Sequence, residues 1–407
     1  MTRSPTDPAL TRAAGRPPFD AALLDRLMDQ AGLDALLVTS KHNVQYLLGG
    51  HRFFFFDYMD AIGVSRYLPI MIYPKGAPER AAYVGNAMES YVQEVEPLWV
   101  PEMRAAAWGS LDAMDVAAEH LSKLGLASAR IGVELAFLPS DADAALRTAL
   151  PQARVTDALP VLERLRARKT PAELENLRQA SERVIAAMEA VIATHGPGTT
   201  KRALVEALRR EEVNRGLTFE YCLIAAGSSH NRAPSEQRWE AGDVLSLDSG
   251  GNYHGYIGDL ARMAVLGEPD AELQDLLAEI EAIQQAAMGA IAPGTAGRAI
   301  YAAAEAALAA APNRSRIHFL AHGMGMITHE APRLTSTGPV PYPADDAERP
   351  LESGMVLSVE TTLLHPRRGF IKLEDTVAVT DTGRDLFSPQ ARGWNRGGTA
   401  IGAAAAR

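Results

Sequence analysis

Two histidines, His322 and His329, stand seven positions apart in the stretch Ala321-His322-Gly323-Met324-Gly325-Met326-Ile327-Thr328-His329-Glu330. His318 lies four positions before the first of them. A single core histidine is ordinarily a hydrogen-bonded structural residue. Three so close together, with glycines that permit close backbone approach, point to chemistry instead. Two aspartates, Asp248 and Asp259, precede them, and two glutamates, Glu360 and Glu374, follow. Four carboxylates and an imidazole make a hard, oxygen-rich set, suited to a pair of divalent ions (Mn, Co, Fe or Zn) more than to a single structural zinc. Two such ions a few ångströms apart activate a bridging water and polarise a scissile carbonyl.

The local patterns decide how these acids can meet. Asp248 ends Val244-Leu245-Ser246-Leu247-Asp248, where period two puts Val244, Ser246 and Asp248 on one face. Ser249-Gly250-Gly251-Asn252 is a turn signal, and Tyr256 begins a returning strand, so a hairpin can set Asp259 beside Asp248. Like charges so placed need a cation or a proton between them. The competing reading is two turn-capping aspartates. Glu360 and Glu374 each follow an apolar run, Met355 to Val359 and Phe370 to Leu373, where an unpaired glutamate costs desolvation. Lys372 shares the face of Glu374, which leaves a plain ion pair as an alternative, and Asp375 points to the other face.

The elements that position these residues fall into two domains, as 407 residues suggest. Residues 1–18 read as a mobile segment. Residues 19–165 read as an α/β domain, with strands at Ala35–Thr39, Tyr67–Tyr73, Arg80–Val84 and Ala129–Val133 among helices at Phe19–Gly32, Ser110–Leu124 and Ser140–Leu150. The charged stretch Leu162 to Lys169 leads into a helix start in which Thr170 is the N-cap, Pro171 the first helical residue and Glu173 the closing member of a capping box. Residues 166–392 then form an α+β domain, with helices from Thr199, Ala271 and Gly297 and strands around the four acids. Residues 393–407, rich in Gly and Ala, read as a flexible tail.

His51-Arg52-Phe53-Phe54-Phe55-Phe56-Asp57-Tyr58 supports two readings: a buried segment, or an aromatic wall over a ligand, with Phe55 facing it and Arg52 and Arg66 holding a substrate carboxylate. Composition narrows the class. The net charge of −10 argues against nucleic acid as a partner. Cys222 is the sole cysteine, which rules out an internal disulfide and fits a reducing, cytoplasmic setting. No stretch approaches the roughly 20 apolar residues of a membrane helix.

LDSGGNYHGYIGD, AHGMGMITHEAP, LESGMVLSVETTL and IKLEDTVAVT, in that order, resemble the pita-bread metallopeptidase family of methionine aminopeptidases, aminopeptidase P, prolidase and creatinase. The additional N-terminal α/β domain resembles the creatinase-like first domain of the Xaa-Pro dipeptidase, aminopeptidase P and creatinase branch. The resemblance implies an α/β N-terminal domain followed by an α+β pita-bread catalytic domain, and two divalent ions, manganese first among them. Asp248 would hold one ion, Asp259 and Glu374 would bridge both, and His322 and Glu360 would complete the other. Glu360 would also shuttle a proton. His329 and His230 would serve the reacting carbonyl, with His318 and Tyr256 near the substrate. The implied reaction is cleavage of a dipeptide or short peptide, with Pro after the scissile bond, by a metal-bridging hydroxide in a homodimer. The alternative on the same scaffold is a non-peptidase, either an ectoine-hydrolase or creatinase-type C–N amide hydrolase or a dimethylsulfoniopropionate lyase. A non-catalytic binding module ranks last, because all five ligand positions are kept. Lys372 is a departure: relatives often carry Arg two residues before the second glutamate.

Overall fold

Short apolar runs bounded by turn residues become the strands of the first of two compact units, Met1–Leu165 and Arg166–Arg407, in this computed structural model. The structure describes residues 15–60, 65–338 and 342–400. The expected mobile segment falls outside the described residues up to position 14, and the expected flexible tail falls outside them from position 401. In the first unit, β1 (Ala35–Val38), β2 (Ile70–Pro74), β3 (Ala82–Asn86), β4 (Glu102–Ala107), β5 (Arg130–Val133) and β6 (Arg154–Asp157) form one sheet in the order β4-β3-β2-β1-β5-β6. Helices α1 (Ala21–Ala31), α2 (Lys41–Leu47), α3 (Val92–Val95), α4 (Ser110–Lys123), α5 (Ser140–Ala149) and α6 (Leu159–Arg166) complete it. Central strand β1 is apolar throughout because both its faces are covered. Leu36 and Val38 share a core with Leu24 and Met28 of α1, while Ala35 and Leu37 share one with Met114 and Ala117 of α4.

The second unit holds α7 (Pro171–Thr194), α8 (Lys201–Asn214), α9 (Ala271–Gly289) and α10 (Arg298–Ala309). Thr170 and Glu173 form the expected capping box at the start of α7. The main sheet runs β12 (Ile317–Gly323), β13 (Val356–His365), β14 (Gly369–Val379), β11 (Tyr256–Val265), β10 (Val244–Tyr253), β8 (Thr218–Ala226), with β15 (Arg384–Phe387) on β14 and β16 (Asn395–Arg396) on β11. A separate pair joins β7 (Thr199–Thr200) to β9 (Arg238–Trp239). Alternation divides the two faces of the main sheet. Leu357, Val359, Ile371, Leu373 and Val377 pack with Leu277, Ile280 and Ile283 of α9. Leu245, Leu247 and Leu260 pack with Val184 and Met188 of α7. The residues between them, including Asp248, Asp259, Glu360 and Glu374, therefore gather on the opposite face.

Two expectations need correction. The β10–β11 turn is not at Ser249-Gly250-Gly251-Asn252; those residues pair as strand, and the chain reverses at His254-Gly255, both with positive φ (52° and 94°). A two-residue hairpin loop with left-handed residues matches the twist of its strands. Nor does the tail fray from Gly393: β16 pairs with β11, and Trp394 Nε1 donates to the Leu273 carbonyl at 2.9 Å, giving the segment both a ladder and an anchor.

Candidate metal centre

Register brings the acids together. Asp248 lies opposite Ala261 and Asp259 opposite Gly250, so the two aspartates share one face of the hairpin, one step apart along the ladder. Glu374 is paired with Ala261 on one side and with Glu360 on the other. His322 lies opposite Ser358, next to Glu360 along β13. Asp259, His322 and Glu374 each offer a ligand atom within 4.8 Å of the others, and all three are buried. Two carboxylates and an imidazole in that geometry fit a first-row divalent ion. Asp375 does turn to the other face, where Arg262 holds it at 2.8 Å and Arg392 also contacts it.

The electrostatics show why this cluster needs cations. Burial, and then the neighbouring Glu374 and Asp248, push the Asp259 carboxyl well above its ordinary value. Glu360 directly opposite Glu374 is a like-charge pair, unfavourable on a ladder unless something positive stands between. Lys372 does: its Nζ lies 2.6 Å from Asp248 Oδ2, 2.5 Å from Glu360 Oε2 and 2.8 Å from Glu374 Oε2. Burial works against the lysine's charge, but these three carboxylates outweigh it and hold its pKa well above the ordinary value. The ion pair with Glu374 legible in the sequence thus exists, within a larger cluster.

The histidines take distinct places. The ring of His329 stacks on that of His322, with centroids 3.8 Å apart and planes 17° apart. Its Nδ1 is buried with no hydrogen-bond partner among the described residues. Burial, helped by His322, Arg333 and Lys372, drops its pKa to about 3, so it is neutral at ordinary pH. Gly323 and Gly325 let the loop fold back on the strand end. A Cβ on Gly323 would lie 2.4 Å from Pro332 N, and one on Gly325 would lie 2.2 Å from Glu330 Oε1. Glu330 in turn is gripped by Arg166 at 2.9 Å and Lys169 at 2.8 Å, all three buried. These two cations of the charged stretch thereby fix the residue next to His329. His230 is exposed, with Nε2 3.2 Å from the His365 carbonyl oxygen. His318 shares the His322 face of β12 and is exposed.

Other expected substrate residues are engaged elsewhere. The Tyr256 hydroxyl donates to Glu173 Oε1 at 2.8 Å, tying β11 to the first turn of α7. In the first unit, Arg52 contacts Asp57 and Gln45, while Arg66 binds Asp60 at 2.8 Å. Each guanidinium already has a carboxylate from its own segment. Phe53 and Phe56 are core residues, Phe54 is 52% exposed, and Phe55 packs against Phe53 and Tyr67.

Three contributors escaped the sequence. Tyr221 donates its hydroxyl to Asp259 Oδ1 at 2.5 Å. Ser358 Oγ donates to Glu374 Oε1 at 2.7 Å. Arg232 contacts Asp248 Oδ2 and lies over the Phe370 ring. Ser358 and Glu360 alternate on one strand face, a signal available in the sequence. Tyr221 and Arg232 arrive from β8 and the loop after it, and no local pattern marks them.

Residues 175–381 match Metallopeptidase family M24, and residues 22–168 match the Creatinase/Prolidase N-terminal domain. The chain belongs to metallopeptidase family M24. Among its relatives is the probable dipeptidase PepE of Mycobacterium tuberculosis (strain ATCC 25618 / H37Rv), 28% identical over 365 residues, 87% of this chain and 89% of the relative. An Xaa-Pro dipeptidase of Pyrococcus furiosus is 29% identical over 232 residues, 55% of this chain and 63% of that one. The crystal structure of dipeptidase PepE from Mycobacterium ulcerans superposes with TM-score 0.71 at 25% identity, covering 92% of this chain and 96% of that one. An Xaa-Pro dipeptidase from Bacillus anthracis, at 22% identity and TM-score 0.74 over 91% of this chain and 97% of that one, shows the shared two-domain fold. The M24 chain is thus a metallopeptidase with a creatinase-type first domain and a pita-bread catalytic domain, and its centre is one for divalent metal. Among the described residues, no helix of this M24 chain is long and apolar enough to cross a membrane.

Proposed function

We propose that the chain is a dipeptidase that cleaves Xaa-Pro dipeptides or short peptides, with manganese the first candidate ion. The supporting observation is that Asp248, Asp259, His322, Glu360 and Glu374 all converge on one sheet face. A full-length likeness to dipeptidases accompanies it. A divalent ion held there supplies Lewis acidity and a nucleophilic water at neutral pH. The protein's own groups do the rest. Glu360 is the most open of the carboxylates around Lys372, its side chain 14% exposed against 3% for Asp248 and 2% for Glu374, which supports it as the group that carries a proton toward the leaving amine. His329, neutral and stacked on His322, offers an N–H to the oxygen that gains charge as the peptide carbonyl is attacked. His230 is proposed as the second such donor. The lone, buried Cys222 accords with a cytoplasmic setting, and the family resemblance carries the expectation of a homodimer.

The deciding experiment is a metal-reconstituted substrate screen across Xaa-Pro dipeptides, longer Xaa-Pro peptides, non-Pro dipeptides and small cyclic amides. Fastest turnover on Xaa-Pro dipeptides is expected. Turnover of cyclic amides alone, or of no peptide at all by metal-loaded protein, overturns the proposal.

A further inference from the structure

Three carboxylates converge on Lys372 at 2.5 to 2.8 Å, which is the arrangement a bound cation would impose on them. The oxygens of the cluster sort into two sets. Asp248 Oδ2, Glu360 Oε2 and Glu374 Oε2 face the ammonium. Glu360 Oε1 and Glu374 Oε1 lie 3.8 and 3.9 Å from His322 Nε2, on the side that Asp259 shares. We propose that the centre is built for one divalent ion, held by Asp259, His322 and Glu374 with Glu360 alongside, and that the Lys372 ammonium serves as a built-in second cation between Asp248, Glu360 and Glu374. This rests on the metallopeptidase reading and replaces the pair of ions expected from the sequence.

Charge supports the count. Asp248, Asp259, Glu360 and Glu374 bring four negative charges; Lys372 and Arg232, both in contact with Asp248, bring two positive ones. One divalent ion makes the set neutral, whereas two would leave it doubly positive. Asp248, Asp259, His322, Lys372 and Glu374 are each at most 4% exposed, and uncompensated charge at such depth is strongly disfavoured. Asp248 discriminates between the counts. Its Oδ2 is already shared by an ammonium and a guanidinium, so it needs no ion to be satisfied. Lys372 is a point charge with rotatable donors, able to enter a carboxylate cage end-on, where a planar guanidinium would lie flat across it.

The test counts ions. Metal-free protein is loaded with Mn(II), passed through a desalting column, and assayed for metal per chain by mass spectrometry and for metal–metal coupling by electron paramagnetic resonance. One ion per chain with the spectrum of an isolated Mn(II) is expected; two ions per chain, an exchange-coupled pair, or no retained ion overturns the proposal. Lys372→Met is expected to raise the count from one to two, and a folded variant still at one overturns the ammonium's role. Asp248→Asn is expected to keep one ion, and loss of that ion overturns the assignment even if Lys372→Met does not fold. The peptidase reading fails separately: two ions with Xaa-Pro turnover removes only this inference, and one ion without peptide turnover removes only the peptidase.

Discussion

The Tyr221 hydroxyl donates to Asp259 Oδ1 through space that exists only because residue 250 is glycine, since a Cβ there would lie 2.3 Å from Tyr221 Cε1. A residue that resembles part of a turn in the sequence is therefore the gap through which a neighbouring strand supports a carboxylate of the candidate metal cluster. Partners of this kind orient the ligand and commonly carry a tenfold or larger share of metal affinity. Tyr221→Phe is expected to weaken Mn(II) binding about 10-fold in a calorimetric titration while leaving the fold intact. An unchanged dissociation constant would show that Asp259 is held by its strand alone.

His329 sits against His322 without being tied to the carboxylates. His329→Ala is expected to lower kcat about 100-fold, the scale of one lost oxyanion donor, and to leave the metal content of the purified protein unchanged. Metal loss alongside the rate would move His329 into the ligand set. Because its pKa of about 3 keeps the ring neutral, no inflection in the rate between about pH 5 and 8 should vanish in this variant.

Glu330 neutralises Arg166 and Lys169 inside the protein. Burial raises its pKa, but the two cations prevail and the net shift is downward. Its stabilising contribution is therefore present above the unfolded-state value and lost as pH falls through the lower folded value. Glu330→Gln leaves two buried cations without their counter-charge, and urea unfolding at neutral pH should show a loss of about 3 to 5 kcal/mol. A loss under about 1 kcal/mol would mean that water reaches the pair.

Glu212 of α8 shows the opposite sign. It accepts from Ser249 Oγ at 2.8 Å, and burial pushes its pKa from 4.5 up to about 7. Between those values the folded chain keeps a proton that the unfolded chain releases, so stability falls as pH rises through the interval. Glu212→Gln should abolish this fall and stabilise the protein at about pH 8 by on the order of 3 kcal/mol, with little gain at about pH 4. Thermal melts at both pH values decide it; equal effects would remove titration as the cause.

Much of the catalytic sheet was readable because strand period and burial agree. In Val244 to Asp248 and Met355 to Glu360 the period of two sets the acid on the face opposite Leu247 and Val359, which lie in the cores, so Asp248 and Glu360 share one sheet face. Gly250 and Gly251 misled because glycine marks both turns and close approaches. Here the side chains of Tyr221, Val184 and Leu217 fill the room they leave. The strand ending at Gly323 was hidden inside a glycine-rich stretch, since its closing residue is chosen for contact with the backbone of 330–332 and not for strand propensity. The reach of Tyr256 to Glu173, 83 positions earlier, leaves no local trace in the sequence.

The strand order also sets a timetable for synthesis. The first unit has its last sheet strand by Asp157, so that sheet can form early as the chain emerges. The aspartates of β10 and β11 are made next, but β11 gains Glu374 as a neighbour only when β14 exists, and β16 only at Asn395. A nascent chain therefore carries two exposed acids for over a hundred residues before the cage that can retain an ion is complete. Loading with metal belongs to the final stage of folding, and a ribosome stalled before Gly369 would release a first unit already formed beside a hairpin with no site to fill.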